Sequence, residues 1–116
     1  VGSSLVVKKS IAHQEPKTYE ALLKGTIDSL RFFQKPENKS VVLKTMAKHL
    51  RLNRVEDAET GYHAMVAAYS SDLTPKPEGL QKIYSILTRT NAKLSTLKPE
   101  SILDATFIQR IQSSGY

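Results

Sequence analysis

Proline divides this chain into helical lengths. Pro16, Pro36, Pro75, Pro77 and Pro99 fall between stretches whose apolar residues recur at spacings of three and four. A proline biases the residue before it away from the α region but suits the first turn of the helix after it. The first helix is expected from Pro16, with Tyr19, Leu22, Leu23, Ile27, Leu30 and Phe33 on one stripe. Gly25 interrupts it as either a close helix contact or a tolerated surface glycine. After the break at Lys35-Pro36-Glu37-Asn38, a second helix over roughly Glu37–Leu50 should bury Val42, Leu43, Met46, Ala47 and Leu50. A third is capped by Asn53, with Glu56 three residues on as its capping-box partner, and carries Val55, Ala58, Tyr62, Met65 and Tyr69 on one face. The stiff run Thr74-Pro75-Lys76-Pro77-Glu78 leads into a fourth helix near Glu78–Thr90, with Leu80, Ile83, Tyr84 and Leu87 inward. Asp104 caps a final helix presenting Phe107, Ile108 and Ile111.

Only the N-terminus reads differently. Ser4-Leu5-Val6-Val7-Lys8-Lys9 is short and β-branched, bounded by Gly2 and Ser10, and is expected as a strand. A lone strand cannot satisfy its own backbone, so this one calls for a sheet the chain does not encode. The other reading is a disordered or swapped arm. Isolated, the chain would then carry a homo-oligomer or strand swap through residues 1–9. The expected fold class is predominantly α, about five short-looped helices after one N-terminal strand, in a single unit spanning residues 1–116.

Composition narrows function more than it names it. The chain has 116 residues, 40 % hydrophobic and 24 % charged, which fits a globular domain with a modest core. No apolar run approaches the ~18 residues of a membrane-spanning helix. Residues 1–12 make a poor signal peptide, because Lys8 and Lys9 interrupt the apolar stretch. With no cysteine, disulfides, thiolate catalysis and Cys-ligated zinc are excluded. The formal net charge of +6 raises a nucleic-acid reading. The basic residues are spread along the chain, with no cluster denser than Lys8-Lys9 or Lys48-His49-Arg51, so a solvated basic surface and no nucleic acid is the expectation.

No reactive constellation emerges. His13, His49 and His63 lack the spacing of a metal-binding helix, and no acidic cluster surrounds them. His13 is expected in the turn before the first helix, His49 at a helix C-terminus, and His63 facing away from the apolar stripe. Glu56, Asp57 and Glu59 fall in the first turns of a helix, where negative charge offsets the dipole. Tyr62, Tyr69 and Tyr84 are spaced for burial. Ser3 and Ser4 beside Gly2 are weak ligand candidates, offering hydroxyls and backbone N–H groups to an anion; a flexible terminus or cloning remnant is the better account of them. The expectation is no metal, no cofactor and no enzyme.

The order of these pieces resembles one known family. Leu5-Val6-Val7-Lys8-Lys9-Ser10-Ile11 with Glu15-Pro16, the Phe32-Phe33 pair, Leu43 to Leu52, Thr74 to Leu80, and Leu97-Lys98-Pro99-Glu100 to Tyr116 are similar to the C-terminal segment of periplasmic solute-binding proteins. The type is that of nitrate/sulfonate/taurine and thiamine-precursor import. His49 and Tyr116 depart from the family's usual residues. The resemblance implies the C-terminal part of an α/β type II binding fold, a small-molecule ligand bound mostly by upstream residues, an ABC transporter permease as partner, and a periplasmic or membrane-anchored extracellular location. Two other readings stand beside it: a small basic helical interaction module binding an acidic partner, and part of a thiamine-pyrimidine synthase-like enzyme.

Overall fold

The computed structural model describes residues 4–116, and every regular element among them is helical. Helices α1 (Lys9–Gln14), α2 (Pro16–Gln34), α3 (Lys39–Leu50), α4 (Glu59–Ala68), α5 (Pro77–Thr90) and α6 (Thr106–Ser113) are joined by short 3-10 turns at Pro36–Asn38, Val55–Ala58, Ala92–Thr96 and Pro99–Ile102. Three of the breaks share one device. Lys35, Lys76 and Lys98 each precede a proline, each is held extended, and each proline opens the next helical turn.

The N-terminal strand is not there. Leu5, Val6 and Val7 lie exposed in irregular chain, Val6 at 90 % of its surface, and Lys9 already begins α1. The Lys8 carbonyl accepts from the N–H groups of Ile11 and Ala12, and Ala12 is buried. With no second strand among the described residues to complete a ladder, β-branched side chains alone do not fix an extended pairing. The expected fold class is corrected accordingly: the described residues form no α/β lobe and no strand. His13 moves with this correction, into the last turn of α1.

Contacts group the chain into two compact units. The terminal unit combines the chain up to Ala21 with Thr74–Tyr116, and the central unit is Leu22–Leu73. In the central unit Val42 and Leu43 of α3 meet Ala58 and Tyr62 in a buried cluster, with Phe33, Met46, Leu52 and Val66 packed around it. Phe33 and Tyr62 meet edge to face at 5.4 Å between ring centroids, a favoured aromatic geometry. Leu50, expected inside, stands exposed where α3 ends. Val66 takes the packing place expected of Met65, because the 3-10 turn Val55–Ala58 delays the start of α4 to Glu59 and rotates its face. The same turn undoes the expected capping box, since Arg54 rather than Asn53 precedes it and no side chain caps it.

In the terminal unit α6 buries Phe107, Ile108 and Ile111 as its spacing requires. The Asp104 carboxylate accepts from the Thr106 N–H at 2.9 Å, one residue earlier than an ideal cap. Tyr19 lies 6.3 Å from the Phe107 ring, while the Arg110 guanidinium sits 4.8 Å over that ring and 3.3 Å from the Glu20 carboxylate. Helix α5 behaves otherwise: none of its residues is buried. No helix of the described residues is long and apolar enough to cross a membrane.

Candidate basic interface on helix α3

From Asn38 to Val55 the chain contains no acidic residue and five basic ones, Lys39, Lys44, Lys48, Arg51 and Arg54. Helix α3 occupies most of that run. Its buried side is set by Val42, Leu43 and Ala47, which places Val41, Lys44, Thr45 and Lys48 on the opposite side by the 3.6-residue period. All four are exposed.

Two of the five cations are neutralised within the unit. The Lys39 ammonium donates to the Glu59 carboxylate and lies 5.8 Å from the centre of the Tyr62 ring. Glu59 also faces His63 Nε2 at 3.7 Å. The hydrogen bond and charge of Lys39, and then of His63, hold the Glu59 carboxyl below the ordinary carboxylate range. Arg54 reaches Glu56 at 3.5 Å. Lys44, Lys48 and Arg51 have no anionic partner among the described residues. Lys44 and Lys48 are neighbours four apart on the helix, about 5–6 Å between Cβ atoms, and Arg51 follows at the residue that closes it.

Arg51 carries a second anomaly. It closes α3 in the left-handed region with φ 55°, the one described residue other than glycine at positive φ. The Leu52 N–H donates to the Ala47 carbonyl at 2.9 Å and the Arg51 N–H to the Lys48 carbonyl at 3.4 Å. This is a Schellman closure, with Leu52 tucked against the core cluster. Glycine is the usual occupant of that position, and an L side chain there costs roughly 1 kcal/mol. An arginine on strained backbone therefore extends the row beyond the helix end. Lys48 and His49 in the last turn are in part explained by the helix dipole, which favours cations there. The dipole does not account for Lys44, which precedes the last turn.

The residues singled out by sequence do not converge elsewhere. Ser3 lies outside the described residues, and Ser4 is exposed in the irregular run before α1. His13, His49 and His63 fall on three different helices, and no group of three metal-ligating side chains occurs among the described residues. His63 is exposed, as expected of a residue turned from the apolar stripe. Tyr62 is buried, but Tyr69 is well exposed, and the half-buried Tyr84 donates its hydroxyl proton to the Leu94 carbonyl. The α3 row escapes sequence reasoning that weighs cations along the chain rather than by helical face. The acid-free run is its signal.

Comparison of the chain with family models, curated proteins and solved structures yields no match. The resemblance to periplasmic solute-binding proteins does not hold. That fold is an α/β one, whereas the segment offered as its strand is irregular chain running into α1. The transport function that rested on it falls with it.

Proposed function

We propose that this chain is a small helical interaction module that binds an acidic, partly apolar protein segment along the outer face of α3. The observation that carries this reading is the row Lys44, Lys48 and Arg51, exposed and without internal anions in a run free of acidic residues. Carboxylates three or four residues apart on a helix, or two apart on a strand, match its spacing of about 5–7 Å. Val41 stands exposed beside Lys44 and Lys48 and offers apolar contact. Three cations over so short a span suit a carboxylate-bearing segment better than a duplex, whose backbone rewards longer tracks of phosphate contacts. The module reading assigns the chain no reaction.

The expected affinity is modest. Exposed ion pairs contribute about 0.2–1 kcal/mol each, so three supply a steering and selecting force rather than tight binding. A synthetic peptide with Glu and Leu alternating at helical spacing, titrated against the full chain by fluorescence anisotropy, tests this. Binding should weaken as salt rises and fall several-fold in Lys44→Glu/Lys48→Glu, both substitutions being on the exposed face. Equal binding by the double variant, or tighter binding to a short DNA duplex than to the peptide, would overturn the proposal.

A further inference from the structure

Helix α5 presents an apolar arc that its own unit leaves uncovered. Leu80 and Tyr84 are half-buried, but Ile83, Ile86 and Leu87 remain exposed, Ile86 at 60 % of its surface. These three residues are neighbours on the helix surface by period. Lys82 precedes Ile86 by four residues and Arg89 follows it by three, so both cations border the arc on one side. The surrounding sequence continues the bias: Lys76, Lys93 and Lys98 flank the helix, and between Lys76 and Lys98 the single acidic residue is Glu78. The chain on the C-terminal side exposes Leu97 and Ile102 as well.

An aliphatic arc edged by cations is the arrangement of a helix lying in a lipid interface, with its apolar side in the acyl boundary and its charges among headgroups. We infer that α5 is a peripheral contact for an anionic lipid surface. The charge selects this occupant over a second copy of the chain, because the edge is net positive, Lys82 and Arg89 against Glu78 alone, and a copy would bring the same net charge to it. The absence of a spanning helix among the described residues makes the association superficial. This inference is independent of the α3 proposal, since it rests on residues of the terminal unit.

The chain contains no tryptophan, so Ile86→Trp supplies a single reporter at the centre of the arc. With vesicles of phosphatidylcholine and phosphatidylserine its emission should move to the blue and become protected from an aqueous quencher. Vesicles of phosphatidylcholine alone should leave it largely unchanged. In cosedimentation of the otherwise native chain, Lys82→Ala/Arg89→Ala should lower partition by roughly thirtyfold, at about 1 kcal/mol per cation near such a surface. Ile83→Ser/Ile86→Ser should abolish it, and its circular dichroism should match the native chain because neither side chain is buried. An unshifted emission of the Ile86→Trp variant with anionic vesicles, or sedimentation of the double serine variant equal to the native chain, would overturn the inference. A blue shift with the acidic peptide but not with vesicles would overturn it too, by giving the arc a protein occupant.

Discussion

Helices α3 and α5 start from similar sequence material and meet opposite fates. Each is an amphipathic helix of three to four turns opened after a Lys-Pro step. Helix α3 buries Val42, Leu43 and Ala47, whereas α5 buries nothing. The difference lies in the next stretch of chain. After α3 the backbone turns back through Val55–Ala58 into α4 and returns Ala58 and Tyr62 onto the exposed stripe. After α5 it continues through two 3-10 turns too short to present a stripe of their own; they pack on α5 and give Tyr84 a carbonyl, but leave Ile83, Ile86 and Leu87 exposed. An amphipathic pattern states that a face requires a partner. Whether the partner is in the chain depends on the length and register of the next element.

The contrast can be broken most severely at Tyr62. Tyr62→Ala removes the aromatic at the centre of the α3–α4 cluster and should cost about 3–5 kcal/mol, read as a lower midpoint in urea. A small loss would mean that α3 is no better anchored than α5. At the end of α3, Arg51→Gly should raise stability by about 1 kcal/mol by relieving the left-handed strain, while weakening acidic-peptide binding. Loss of stability would place the Arg51 side chain in a structural role instead. On α5, Ile86→Asp should leave stability within about 0.5 kcal/mol, as expected of a substitution on an open face. A larger loss would reveal that the arc is covered.

The smallest effect is one of pH. Glu59 is depressed below its ordinary range by Lys39, so its contribution is present above about pH 4.3 and is lost as pH falls through the lowered folded value. Asp104 is also lowered, by its side-chain and backbone hydrogen bonds to Thr106. Both therefore make the native state weaken on the acid side, one in each unit. Glu59→Gln should flatten part of that acid limb, followed by circular dichroism between pH 2 and 6. An unchanged limb would show the Lys39 contact to be energetically silent in solvent.

Much of the helical layout is legible because proline and periodicity act locally. Pro16, Pro36 and Pro77 fix where turns begin, and the spacing of Phe107, Ile108 and Ile111 is a helical face that the structure buries. Gly25, open between contact and tolerance on sequence grounds, meets nothing within 4 Å of where a Cβ would stand. The strand expectation fails because Leu5-Val6-Val7 advertises β propensity, whereas pairing depends on a partner the local sequence does not contain. The α4 register is illegible because a 3-10 turn replaces the first expected α turn, and nothing in Asn53 or Glu56 reveals that choice. The α3 row requires the helix to be placed first; only then do Lys44 and Lys48 share a face with Arg51 just past its end.

The Lys-Pro steps have a consequence for how the chain meets proteases. Exposed connections between helices are where proteolytic nicking concentrates. A lysine-directed protease such as trypsin cuts poorly when proline comes next after the lysine. At Lys35, Lys76 and Lys98 the lysine that would mark the break is followed by proline. The residues that start the next helical turn thus also shield three Lys-Pro bonds from tryptic cleavage, although Lys93 leaves the connection from α5 to α6 open. Between Tyr69 and Pro77 that leaves no unprotected lysine or arginine, so the joint from α4 to α5 should survive trypsin.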